Sequence, residues 1–265
     1  MEKEKFMKKS IYKIVFMTFF VLLNLTSLSA KNRSVDTITD LAQQRAELHK
    51  MLEMYALVGT NIAFNDPKQT LKNSINDYEV FIRTLQKSRM LKKSQKLWMP
   101  IKKRLLGALK SANQQKMKKN AVYLYKYIPL LVKELLHIQQ TLIKKLHIKN
   151  KKILNASIDI EVSSKRLCSN YVMKVWNIEG LAVQKEWNEE MKRYKNASFL
   201  LKKSSFYKHK KFKKLLDETI KYHTYFKMIS RFKTKYVPTL IDEKTTLVFN
   251  NALKMTQIIL SQTKQ

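Results

Sequence analysis

Apolar residues recur along this chain at helical spacing, with lysine filling many of the positions between them. Leu71, Ile75, Tyr78, Ile82 and Leu85 step by four, three, four and three. Trp187, Tyr194 and Leu201 repeat every seven, with Val183 and Met191 between them. Val248, Ala252, Met255 and Ile259 continue the pattern near the C-terminus. Single stripes of this kind bury one face of a helix and leave the other to solvent. Three glycines and four prolines leave little turn material. The pattern predicts an all-α fold, with long antiparallel helices forming one or two bundles of the four-helix type. Asn65-Asp66-Pro67 reads as a helix start: Asp66 can cap it, and Pro67 fits the first turn, where no N–H is needed. The run through 130–176 contains neither glycine nor proline and predicts helix passing from one half of the chain into the other.

A weak internal repeat underlies this pattern. The segments YIPLL (127–131) and YVPTL (236–240) are each expected to open a long helix. The pairs Gln44-Arg45 and Lys165-Arg166 each sit on a helix that is followed by a break, VGTNIAFNDP in one half and NIEG in the other. The arginines are 121 residues apart and the Tyr-x-Pro segments 109. The expected organisation is a leader at 1–30, then one helical unit over 31–150 and a second over 151–265.

The leader changes what the rest can be. Lysines at 3, 5, 8, 9 and 13 precede the apolar run IYKIVFMTFFVLLNL, and the small polar stretch TSLSA ends at Ala30. That order is the grammar of a secretory signal peptide. Its apolar core is shorter than the roughly 20 residues of a membrane span. Export to the periplasm is expected, without stable membrane insertion after cleavage.

The formal charge is +33. Removing the five lysines and two glutamates of 1–30 leaves 48 basic and 18 acidic residues, about +30. Such a field attracts anions and anionic surfaces. The charge is mostly lysine, in pairs along solvated helix faces, and reads as compositional drift as much as a binding surface. Nucleic acid is not an expected partner, because export removes access to it. Cys168 is the sole cysteine, so no internal disulfide can form, and it reads as a small buried hydrophobe. Trp98, Trp176 and Trp187 sit on apolar stripes and are expected in the core. The five histidines are scattered without a ligand partner at metal spacing, and no haem motif, phosphate loop or recognisable nucleophile and base is present. Neither a cofactor nor an enzymatic activity is expected.

The stretch SSKRLCSNYVMKVWNI, from Ser163 to Ile178, does not read as a simple core helix. It resembles the signature of the PilJ/NarX-type periplasmic sensor domain, a helix with a pattern like GRQRMLSQR followed by an apolar stripe. Ser163 falls on the Gly, Lys165 on the Gln and Arg166 on the second Arg. Leu167, Cys168, Ser169 and Asn170 fall on Met, Leu, Ser and Gln, and Tyr171 replaces the last Arg. LAQQRAELHKMLEMYALV resembles it more loosely: Ala42 takes the Gly position, Gln44-Arg45 match Gln-Arg, and His49-Lys50 stand for the final Gln-Arg. Ala46, Glu47 and Leu48 depart from the pattern.

The resemblance implies two tandem helical bundles of a kind found at the front of histidine kinases and chemotaxis transducers. In the nitrate and nitrite branch, the motif arginine holds the anion across a two-fold axis. Carried over, this implies a freestanding periplasmic binding module for a small anion such as nitrate or nitrite. Arg45 and Arg166 would hold it, completed by Gln44 and Ser169. No kinase or methyl-accepting segment follows, so the expected partner is the ectodomain of a membrane sensor kinase or chemotaxis transducer. A guanidinium fork suits a planar oxyanion through paired, charge-assisted bonds. Ordinary ion pairs would also account for the two arginines, and Glu47 and Glu161 could neutralise them. The alternative function is a basic helical adaptor of the cell envelope without a small ligand, acting through LIKKLHIKNKK (142–152) and YKHKKFKK (207–214). The exported form should begin near Lys31; intact-mass spectrometry checks this, and residues 1–30 retained on membrane-extracted protein would overturn it.

Overall fold

The computed structural model describes residues 35–84, 91–110, 113–178, 180–230 and 237–262. The leader at 1–30, Leu85 and Tyr236 lie outside them. The described residues form helices and turns without a strand. Helix α1 spans 35–59. It is followed by α2 (Pro67–Thr84), α3 (Lys92–Lys110), α4 (Gln114–Lys145), α5 (Lys151–Trp176) and α6 (Val183–Lys202). A 3₁₀ turn (Ser205–Lys208) precedes α7 (Lys210–Ile229), and α8 spans Pro238–Ser261. Among the described residues no helix is long and apolar enough to cross a membrane.

Two four-helix units result, and each closes its first helix against its last. In the first unit, Tyr55 of α1 donates to the carbonyl of Met117 in α4 at 3.1 Å. Arg45, earlier on α1, meets Gln139, later on α4, so the two helices are antiparallel. In the second unit, Ser157 and Lys165 of α5 meet Thr256 and Thr246 of α8, again antiparallel. The stripes seen in the sequence are the buried faces: Leu71, Ile75, Tyr78 and Ile82 on α2, and Val248, Ala252, Met255 and Ile259 on α8. Trp98, Trp176 and Trp187 are buried.

The units join through α1 and α5, which run side by side. Charge interactions link Arg45 with Glu161 and Glu53 with Lys165, and towards the C-terminal ends of both helices Tyr55 packs on Trp176 with ring centroids 6.1 Å apart. The positions rise together, so this pair is parallel. Each helix also completes the other unit's core. Val172, Met173 and Trp176 of α5 pack in the cluster built by α1 to α4. Val35, Ile38 and Ala42 of α1 pack in the cluster of α5 to α8.

Enclosure on all sides explains the composition of α5. From Leu154 to Trp176 few of its side chains reach solvent. Small serines let neighbouring backbones come close, and their hydroxyls find main-chain acceptors. Ser157 donates to Ala252 (3.0 Å), Ser164 to Glu161 (2.7 Å) and Ser169 to Arg166 (3.0 Å). Buried hydroxyls satisfied in this way avoid the cost of an unmade hydrogen bond.

Two details differ from the sequence reading. Helix does not continue through 130–176: α4 stops at Lys145 and α5 starts at Lys151. His147 takes the left-handed conformation (φ 52°) that glycine usually supplies. Its N–H bonds to Lys144 (3.1 Å), that of Ile148 bonds to Ile143 (3.4 Å), and the two isoleucines are buried in one cluster. This is the Schellman pattern with its hydrophobic contact, made without glycine. Nor does the proline of YIPLL open a helix. Pro129 lies inside α4, whose N-cap is Asn113, accepting from the N–H of Lys116 at 3.0 Å. The buried stripe Leu124, Ile128, Leu131, Leu135 passes through Pro129. That packing offsets the roughly 3 kcal/mol an interior proline costs. Pro238 and Pro67 do open helices, and the carboxylate of Asp66 accepts from the N–H of Gln69 at 3.1 Å.

At the seam's end Gly59 lies under Trp176, and a Cβ at position 59 would overlap the indole ring. Gly59→Ala should therefore destabilise by about 1–3 kcal/mol, the range for overpacking a filled core. Urea denaturation checks this. Combined with Trp176→Leu it should cost less than the sum of the two single changes.

Candidate functional site

Arg45, His49 and Glu53 are spaced four apart on α1, which puts them on one face. A polar face would ordinarily be solvated, yet all three are buried. The face points into the seam with α5.

Arg45 Nη1 donates to Gln139 Oε1 (2.6 Å), and Gln139 Nε2 donates to the carbonyl of Ile38 (2.8 Å). Its Nε has no partner. Burial lowers the guanidinium to about 10, opposed by Asp159 and Glu161, so it remains a cation at neutral pH. His49 sits one turn on, and both of its ring nitrogens are unpartnered. Burial, and then the charges of Arg166, Arg45 and Arg193, hold His49 well below the usual histidine range, so it is neutral. Glu161 faces Arg45 from α5 with both oxygens unpartnered. Burial raises its carboxyl to about 8, with Arg45 opposing.

Arg166 turns towards α6. It is ion-paired with Glu186 and, at 2.7 Å, with Glu190. Glu190 is 1% exposed and also takes Arg193 (3.2 Å) and the hydroxyl of Ser163 (2.7 Å). Lys165, in place of the motif Gln, faces α8, with Nζ 2.7 Å from Thr246 Oγ1 and 3.4 Å from Asp242 Oδ1.

The four residues singled out by the resemblance do not converge on one point. Arg45 and Arg166 both act on His49, but each has its own partner. Gln44 lines a separate groove of about 470 Å³ with Asn73, Ser74 and Asp77 of α2. The Ser169 hydroxyl is bonded within its own helix. Register explains part of this. The end of α1 and the end of α5 are equivalent: Asn61 (φ 56°) and Asn177 (φ 51°) both take the left-handed position, and isoleucine follows each. Those asparagines are 116 positions apart, the interval that separates Arg45 from Glu161 rather than from Arg166. Sequence reasoning missed Gln139, Glu190 and Arg193 as participants. The four-residue spacing of Arg45, His49 and Glu53 was the available signal for the buried polar face.

Comparison with protein-family models, curated proteins and solved structures gives no match.

Glu161 carries a pH prediction. Its folded-state value near 8 lies above the ordinary 4.5, so between the two the folded protein holds a proton that the unfolded chain releases. The associated stability is complete below about pH 4.5 and is lost as pH rises through about 8. Urea midpoints at constant ionic strength should show this decline, and Glu161→Gln should reduce it, leaving the share of Glu53, which burial raises to a similar value. An unchanged slope in the variant would refute the assignment.

Proposed function

We propose that this chain is an exported binding module for a small oxyanion, held in the polar seam between its two four-helix units. The observation that supports the reading most is the pair of unpartnered nitrogens on His49 beside the unpartnered Nε of Arg45, all buried. Buried polar groups nearly always have a partner, so orphans at one place call for an occupant. Arg45 supplies a fixed cation and His49 a donor that can take up a proton with the anion. Glu161, protonated at neutral pH, puts no negative charge in the way. Arg166, engaged by two glutamates, contributes field rather than a direct bond. Nitrate and nitrite are the ligands to try first. Because the site joins α1 to α5, occupancy bears on how the two units pack, a change that the ectodomain of a membrane sensor kinase or transducer could read.

The test is thermal shift with nitrate, nitrite and other oxyanions against chloride at matched ionic strength. A stabilisation by one oxyanion is expected, lost in Arg45→Gln and in His49→Leu. Each loss should correspond to about 1.5–3 kcal/mol of binding, the range for a hydrogen bond to a charged group. No differential effect for any oxyanion, or one that survives both substitutions, would sink the proposal.

The adaptor reading has its own support. The lysines of 142–152 and of 207–214 are all exposed, and Ile143, Ile148 and Phe212 of the two segments are buried in one cluster. Lys152 and Leu200 line one groove, and the Gln262 side chain meets His209. Salt-sensitive sedimentation with anionic vesicles, absent for neutral vesicles, would favour it.

A further inference from the structure

We propose that Glu53, Cys168 and Asp242 form a binding site for a thiophilic divalent metal ion of the zinc class. The three come from α1, α5 and α8, and their ligand atoms lie within 4.8 Å of one another. Zinc–oxygen and zinc–sulfur bonds of roughly 2.0–2.3 Å put tetrahedral neighbours some 3.3–3.8 Å apart, so closing on an ion needs shifts of about an ångström.

Glu53 is the independent sign of a missing occupant. It is fully buried, and its carboxyl meets no protein cation or hydroxyl at hydrogen-bond distance; its polar company is the Cys168 thiol and the Asp242 carboxylate themselves. An isolated buried carboxyl is costly, and a dication at the centre of the three groups would satisfy it. In the metal-free protein, burial keeps Glu53 up to about 8 and raises the Cys168 thiol, so both are protonated.

Lys165 is the group to reconcile with a cation. Its Nζ stands 3.4 Å from Asp242 Oδ1 and 2.7 Å from Thr246 Oγ1. A metal on Asp242 takes over the longer contact and leaves the shorter one. Charge then closes: two carboxylates and one thiolate carry −3, and the dication with Lys165 carries +3. The thiol proton of Cys168 and the proton on Glu53 leave to solvent as the ion enters. Of the three ligands Asp242 lines, with Lys165 and Thr246, a cavity of about 420 Å³ between α1 and α8, while Glu53 and Cys168 are fully buried. Entry of the ion is from the Asp242 side. The thiolate selects against magnesium and calcium, which prefer oxygen.

The scattered histidines gave no metal pattern in the sequence, and this cluster uses none of them. It lies one turn beyond His49 on α1 and stands without the anion reading.

Because Cys168 is the sole cysteine, cobalt can report this site alone. The mature protein, stripped with a chelator, is titrated with Co²⁺ and then with Zn²⁺ against a chromophoric competitor. One equivalent of Co²⁺ should give a near-ultraviolet thiolate-to-metal charge-transfer band, displaced by one equivalent of Zn²⁺. Glu53→Gln and Asp242→Asn, checked for helicity by circular dichroism, should each weaken Zn²⁺ binding at least about tenfold. Cys168→Ser should abolish the band. Stoichiometric Co²⁺ without a thiolate band, or Zn²⁺ affinity unchanged in both carboxylate variants, would overturn the proposal.

Discussion

The parallel contact between α1 and α5 governs the rest of the molecule. It places Arg45, His49 and Glu53 of one helix against Glu161, Lys165 and Cys168 of the other, in a space closed by α4, α6 and α8. Taking that many ionisable groups out of water opposes folding unless charges pair or groups neutralise. Both solutions are present. Arg166 and Lys165 are paired, while His49, Glu53 and Glu161 are held neutral by burial. The apolar residues around the seam must supply the stability that such a polar interior does not. This explains why each unit's core draws on the other unit's first helix.

Burial of this kind gives specificity of register at the expense of stability. A slide of α5 by one turn would move Lys165 from Asp242 and Thr246 and bring Glu161 or Ser169 to its place beside Glu53. The serines along α5 work in the same direction, because Ser157 reaches a carbonyl of α8 and Ser163 reaches Glu190 of α6. The stretch from Ser163 to Asn170 is therefore a lock between helices.

What the sequence made legible follows from what one helix can report about itself. The stripes on α2, α6 and α8, the Asp66 cap and the buried tryptophans depend on local spacing, and they stand in the structure as read. The stop at Lys145 did not announce itself, because the left-handed residue is His147 rather than glycine and the signal is a buried pair, Ile143 and Ile148. Pro129 reads as a helix start until the stripe on both sides of it is matched to a partner surface. The site was harder still. Whether Arg166 is free depends on Glu190, which sits two turns into another helix. The motif alignment matched arginine with arginine, while the fold matches Arg45 with Glu161. Only tertiary register distinguishes those pairings.

The exchange of core residues between the two units also bears on how the chain is made. During synthesis α1 to α4 emerge first, yet their cluster lacks Val172, Met173 and Trp176 until the end of α5 follows. Over that interval the pocket awaiting the Trp176 indole, next to Gly59, stays open. Closing it joins residues more than a hundred positions apart, a class of contact that forms late in folding. The nascent first half is thus the vulnerable species, with apolar surface available to chaperones or to its own copies.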